Sequence, residues 1–472
     1  MPHDCVPELL AHATHALEEE FGALPDTRAN DENPSLGIAG DQAALDGGAN
    51  AEAMAAVLEA TAHRLGDNYP YFHPLYAGQM LKPPHPVARA AYALAMKINP
   101  NNHALDGGRA SSAMEVEAVR EIAGIFGWTE FLGHLTSSGT FANLEALWMA
   151  GQLAPGRRIV GSEQAHYTHQ RISGVLKLEY TGVEADGRGR MSLESLENEL
   201  RKGDVGTVVA TLGTTAIGAV DPLDEILKLK ERYGFRVHVD AAYGGYFALI
   251  AEALGEPARR AFAAIGQADL IVVDPHKHGL QPYGCGCVLF RDPAVGRFYK
   301  HDSPYTYFTS KELHLGEISL ECSRAGAAAV ALWATQRLLP LKPGGEFARG
   351  LAKGRRAALE LDRRLRGDGR FEALRAGAPE LDIVVWALAL RAADFWKASE
   401  QTRKVFDACA RRGLHLALVQ LPGSWFGAPD RVKHERGGAM CLRSVLMKPE
   451  HEAWMGEIWD RLSAGCGDVA GG

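Results

Sequence analysis

Between about residues 86 and 340 the chain alternates short β-rich runs with helical stretches, and no other feature limits the fold as much. The runs are "GHLTS", "RRIVGS", "VGTVVATLG", "FRVHVDA", "DLIVVD" and "CGCVLF"; "MEVEAVREIAGIFGW" is one of the helical stretches. Apolar runs bounded by Gly and Asp and separated by helices predict a mostly parallel sheet covered on both faces. The expected fold class is α/β, a doubly wound domain that closes with the helix "SRAGAAAVALWATQRLL".

The chain has 472 residues and is 46% hydrophobic, enough for more than one core. "PLKPGG" at 340–345 reads as a boundary. Beyond it a basic helix at about 347–366, the runs "DIVVWALAL", "LHLALVQL" and "MCLRSVLM" and a final amphipathic helix predict a small α+β domain. At the other end, residues 26–50 are rich in Asp, Asn and Gly and read as loop. A helix at about 51–65 then leads into the irregular "YPYFHPLYAGQMLKPPHP". The expected division is an N-terminal arm over 1–85, a large domain over 86–340 and a small domain over 341–472.

A net charge of -8 argues against a nucleic-acid partner held by phosphate contacts. The seven cysteines are scattered, apart from Cys285 and Cys287, and no second pair stands at zinc-ligand spacing. Free thiols in a reducing compartment are expected. "MPHDCVPELL" lacks the form of a signal peptide, and the most apolar run, "AGAAAVALWA" at 325–334, is too short to span a bilayer. A cytoplasmic protein with no membrane partner is the expectation.

Ligands of open α/β sheets bind outside the carboxyl ends of the strands. Ser138, Gly139 and Thr140 stand there, just before a helix. Free N–H groups and the helix dipole suit a phosphate, although an ordinary N-cap explains the same residues. His166 and His169 follow the next run; Thr214, Thr215 and Asp221 follow "VVATLG"; Asp240 ends "FRVHVD". An acid behind a buried strand is costly unless it meets a cation. Last come His276 and Lys277 in "DPHKHG".

One ligand uses all of these parts: pyridoxal phosphate. Its phosphate needs a helix N-terminus with hydroxyls, its aldehyde a lysine, and its ring nitrogen an acid that keeps it protonated. A lysine of ordinary pKa, about 10.4, is a poor nucleophile at pH 7, so the Schiff base and nearby cationic groups are expected to lower that of Lys277.

The blocks "TSSGTFANLEAL", "AHYTH", "VVATLGTTAIGAVDPL", "HVDAAYGGY" and "DPHKHG" resemble those of the pyridoxal-dependent amino-acid decarboxylases (group II, fold type I) over roughly residues 70–450. The resemblance implies a fold type I enzyme with a large sheet of the seven-stranded type. By the same resemblance Lys277 holds the cofactor covalently and Asp240 pairs with its ring nitrogen. His166 stacks on the ring, Ala242 packs on the other face, and Ser138, Gly139, Thr140 and His276 surround the phosphate. Thr215 and Asp221 support the ring and its neighbours, and Arg443 in "CLRSVLM" neighbours the substrate carboxylate. "HDSPYTYFTSKELHLGEISLECSR" resembles the family's active-site loop, with Tyr305, 28 residues after Lys277, as substrate contact and proton donor, and Tyr307 as second choice. His278 stands where many relatives have an aromatic residue.

The implied reaction turns an L-amino acid into its amine and carbon dioxide, in a homodimer with shared active sites. Two other pyridoxal chemistries remain open: a lyase like sphingosine-phosphate lyase, and an aminotransferase. A more distant alternative is a metal-binding protein that uses His276 and His278. Two tyrosines and a phenylalanine in the segments expected to line the pocket lean toward an aromatic substrate.

Overall fold

The computed structural model describes residues 5–22, 51–300, 314–389, 395–426 and 438–470. Seven strands form the larger sheet: β1 (Leu132–Thr136), β2 (Arg158–Ser162), β3 (Tyr180–Val183), β4 (Val205–Thr211), β5 (Arg236–Asp240), β6 (Leu270–Val273) and β7 (Gly286–Phe290). Their order is β1-β7-β6-β5-β4-β2-β3. The pairs β2–β3, β2–β4, β4–β5 and β5–β6 are parallel, and β7 runs antiparallel to both β1 and β6. The sheet is thus α/β and mostly parallel, as the alternation of runs predicts.

Both faces of the strands are apolar because both are covered. In β6, Leu270 and Val272 join one core cluster, with Ala142, Ala146 and Met149 of the helix Gly139–Leu153. Ile271 and Val273 point the other way, into the main cluster with Ala118, Val119 and Ile122 of the helix Leu105–Ile125. The two-residue period of a strand puts neighbours on opposite faces. A run such as "LIVV" therefore has no polar side.

Past the helices Gly326–Leu338 and Glu346–Arg366 lies a second, antiparallel sheet. Its strands are β8 (Phe371–Ala373), β9 (Ile383–Leu388), β10 (Ala417–Leu421) and β11 (Ala439–Val445), in the order β10-β11-β9-β8. Trp386 and Leu442 form its core with Leu361 of the helix Glu346–Arg366 and Leu462 of the helix Met455–Ala470. Asp382, one residue before β9, ties this sheet to the larger one: its Oδ1 accepts from Tyr243 Oη at 2.5 Å. No helix of the described residues is long and apolar enough to cross a membrane.

Candidate active site

A cavity of about 270 Å³ opens at the carboxyl ends of the parallel strands. Ser138, Gly139, Thr140, His166, Thr215, Asp240, Ala242, His276 and Lys277 all line it. Residues separated by up to 139 positions are brought together because each sits at, or a few residues past, a strand end. Asn143, Thr211, Tyr243, Asp274 and Tyr283 line it too, and the sequence reading did not single them out.

The helix Gly139–Leu153 begins at the cavity. Ser138 Oγ accepts the Phe141 N–H at 3.2 Å, so its hydroxyl is an N-cap while the residue also lines the cavity. The N-cap reading of Ser138 holds, and the residue stands where the phosphate reading needs it. A Cβ at position 139 would collide with the Asp274 carboxylate, so only glycine lets that group sit against the first turn.

Asp240 ends β5 and is buried. Its Oδ2 lies 2.8 Å from His169 Nε2, and its Oδ1 accepts the Ala242 N–H at 3.1 Å. Burial alone would raise this carboxyl. The His169 hydrogen bond and the charges of His169, His238 and Lys277 outweigh it and hold the pKa well below the usual carboxylate range. Behind this pair, His238 Nε2 lies 2.8 Å from Asn143 Oδ1. His166 shares a 2.7 Å contact with Thr168 Oγ1, and burial lowers its pKa. Asp221 is fully buried below the cavity, where it accepts the Thr211 and Met191 N–H groups at 2.7 Å each. It holds the end of β4 in place rather than lining the cavity.

Lys277 lies past β6, and its Nζ is 2.9 Å from Asp274 Oδ2. Burial lowers its pKa, but the charges of Asp274 and Asp240 prevail and the net shift is upward. The nearest groups are carboxylates rather than the cations expected. His276 Nε2 stands 3.6 Å from Asp274 Oδ2, and its Nδ1 lies 2.7 Å from Cys285 O. His278 turns away from the cavity. It packs against Tyr243 and Phe247, 3.4 Å from Asp382 Oδ2. The two histidines therefore serve different surroundings, and the described residues contain no group of three or more metal-ligating side chains.

Arg443 lies on β11, buried, and does not line the cavity. Its Nε has no hydrogen-bond partner among the described residues. Tyr305 and Tyr307 lie outside the described residues.

Do these residues fit pyridoxal phosphate? Thr211 Oγ1 and Asp274 Oδ1 line the cavity, buried and without a hydrogen-bond partner among the described residues. Buried polar atoms are seldom left so. An amine, a carboxylate held ionised, an imidazole and a helix N-terminus converge on one space. This donor set suits an aldehyde, a pyridinium, a ring face and a phosphate, so the residues fit.

A family model described as the pyridoxal-dependent decarboxylase conserved domain matches residues 70–389, more than half of the sequence. The chain belongs to the pyridoxal-dependent decarboxylase family. Membership brings the family's chemistry, the pyridoxal phosphate-dependent removal of carbon dioxide from an amino acid. Among curated relatives, an L-tyrosine decarboxylase of Enterococcus faecium is 28% identical over 406 residues, spanning 65% of this chain and 66% of that protein. A probable L-tyrosine/L-aspartate decarboxylase of Methanothermobacter thermautotrophicus is 29% identical over 313 residues, or 66% of this chain and 82% of that one. The fold is shared with the crystal structure of mouse CSAD at a TM-score of 0.75 and 21% identity, covering 97% of this chain and 98% of that chain. It is shared also with Oryza sativa TDC at 0.74 and 18%, covering 99% of each. The seven-stranded sheet and the small antiparallel one are those expected of fold type I.

Proposed function

We propose that this decarboxylase acts on an aromatic L-amino acid, L-tyrosine first, as a cytoplasmic homodimer. One observation carries the aromatic reading. Tyr69, Tyr71, Tyr76 and His415 form a contiguous set of ring contacts, with centroids 4.9–6.4 Å apart. Tyr283, whose ring lies 4.9 Å from that of His276, lines the cavity. The exposed ring of Tyr283 at the cavity offers an aromatic guest an offset or edge-on contact.

Bound there, pyridoxal phosphate supplies an electron sink for the bond that breaks. Lys277 provides the amine that holds it covalently. Asp240, kept ionised by His169, holds the proton on its ring nitrogen. His166 and Ala242 would flank it, Thr215 would support it, and Ser138, Gly139, Thr140 and His276 would take the phosphate. Arg443 neighbours the substrate carboxylate, and Tyr305 delivers a proton to the α-carbon as general acid.

A second substrate has its own support. Lys82 and Arg443 are cations near Tyr243 and Asp382, and burial lowers both, Lys82 to about 8. With Arg443 beside the α-carboxylate, Lys82 is left to favour a second one, and the Methanothermobacter relative's name includes L-aspartate.

The dimer rests on the helix Ala51–Leu65. Every residue from 52 to 65 is exposed, including Met54, Val57, Leu58 and Leu65. Such an apolar surface calls for a partner. All seven cysteines are free thiols, as suits the cytoplasm.

The test is carbon dioxide release from each of the twenty amino acids, with the product identified. Tyramine from L-tyrosine supports the first reading and β-alanine from L-aspartate the second. Transamination without carbon dioxide sinks both. An active monomer in sedimentation sinks the dimer.

A further inference from the structure

We propose that Asp382 is a positioning residue, through which the second sheet sets the distance between Lys277 and Asp240. The inference rests on the reading above that these two residues hold different ends of one cofactor. Asp382 stands one residue before β9 and is buried. Its Oδ1 accepts from Tyr243 Oη at 2.5 Å, and its Oδ2 lies 3.4 Å from His278 Nε2. Tyr243 comes three residues after Asp240, and His278 directly follows Lys277. The rings of Tyr243 and His278 also meet edge to face, with centroids 4.7 Å apart. A single carboxylate of the second sheet thus touches the turn behind Asp240 and the turn that carries Lys277.

The strands alone do not fix that distance. Asp240 is the last residue of β5, but Lys277 lies four residues past the end of β6. The turn that carries it is compact: the Lys277 N–H donates to Asp274 O at 2.9 Å, and the Gln281 N–H to Pro275 O at 3.2 Å. A Cβ at position 279 would collide with Pro275. A turn so closed moves as one piece, so what holds His278 also holds Lys277. On the other side, the Gly244 N–H donates to Leu212 O at 3.0 Å and fixes the backbone beside Tyr243 to the chain just past β4. Asp382 is anchored in turn. The Leu446 N–H donates to its carbonyl at 2.9 Å, and the Val220 N–H donates to Glu380 Oε2 at 2.6 Å.

Simple core packing explains this arrangement poorly. A buried carboxylate is costly, and an apolar side chain of similar size would serve packing at least as well. Lys82 lends the carboxylate a favourable charge, but donates its own hydrogen bond to Met447 O at 3.2 Å. The His278 ring is buried, and its nitrogens make no hydrogen bond among the described residues, which leaves the Asp382 contact as its polar tie. What an apolar side chain cannot do is hold a phenol and an imidazole from two separate turns at one point.

The experiment uses the full chain, freed of cofactor, and two ligands. Pyridoxal phosphate can reach both points, Asp240 through its ring nitrogen and Lys277 through its aldehyde. Deoxypyridoxine phosphate has the same ring and phosphate but no aldehyde, so the distance to Lys277 does not matter to it. Dissociation constants are read for the parent, Asp382→Leu, Tyr243→Phe and Asp382→Asn, which keeps an acceptor for Tyr243. In Asp382→Leu and Tyr243→Phe, pyridoxal phosphate should bind about tenfold more weakly, the scale of one lost hydrogen bond to a charged group. Deoxypyridoxine phosphate should bind as it does to the parent, and Asp382→Asn should restore most of the affinity for pyridoxal phosphate. Parent affinity for pyridoxal phosphate in both Asp382→Leu and Tyr243→Phe overturns the proposal. Equal weakening of the two ligands marks a merely structural role and overturns it too. If Asp382→Leu does not fold, Tyr243→Phe and Asp382→Asn carry the same comparison. Lys277→Ala is run alongside. If it binds pyridoxal phosphate as the parent does, the reading of Lys277 fails and the proposal with it. If Lys277→Ala alone weakens that binding, the reading stands and the proposal falls.

Discussion

His169 Nε2 and Asp240 Oδ2 lie 2.8 Å apart, with 0% and 6% of their side chains exposed. The residue that faces the cavity is Asp240, and the residue that keeps it ionised is His169. Removing His169 leaves burial as the dominant influence on the carboxyl, and its pKa should climb. The acid limb of the activity profile should therefore move to higher pH in His169→Ala. A fall in kcat of about 10–100-fold is expected, the usual cost of losing a supporting hydrogen bond at an active site. His169→Gln, which can still donate, should recover part of both. An acid limb that does not move would break the link between the two residues.

Asp240→Asn removes the charge and keeps the shape. Pyridoxal phosphate should still bind, because Lys277 and the helix N-terminus are untouched. Turnover should drop at least about a thousandfold, the scale of losing a preorganised electrostatic partner, about 4 kcal/mol. Near-parent turnover with a normal cofactor band would remove the electron-sink argument.

Borohydride reduction followed by peptide mapping should place the pyridoxyl group on Lys277. Among the described residues Lys277 is the one lysine that lines the cavity. A label on Lys82, the half-buried lysine near His278, would reassign the site.

Legibility in the sequence followed the range of the interactions. Asp240 and Lys277 could be read because each stands directly behind an apolar run, and the run itself marks the strand end. Asp382 could not. It precedes a strand, where an acid usually faces water, and only a contact 139 residues away reveals it as buried. His169 stood beside His166 in one motif, but its partner lies 71 residues on. Strand β3 was missed among the β-rich runs because it is a half-exposed edge of four residues, "YTGV", with no apolar run to show it. The raised pKa of Lys277 was missed because Asp274 was read as part of a motif, not as a charge 2.9 Å away.

The last prediction concerns pH. Burial pushes the Asp382 carboxyl up to about 6, against the Tyr243 hydrogen bond and the Lys82 charge. Its unfolded value is about 3.9. Between those two values the folded protein binds more protons than the unfolded chain, so stability falls as pH rises through the window. Below about 4 both states are protonated and the favourable term is fully present; above about 6 it is gone. Asp382→Asn removes the titration. Its stability relative to the parent should therefore improve between pH 4 and pH 7, by about 3 kcal/mol at most. The loss of a charged acceptor for Tyr243 subtracts an amount that does not change sign across the window. The measurement is the urea midpoint of both proteins at pH 4.5, 5.5 and 7. A difference between them that stays flat, or that shifts in favour of the parent as pH rises, would show that Asp382 is held ionised by its neighbours throughout.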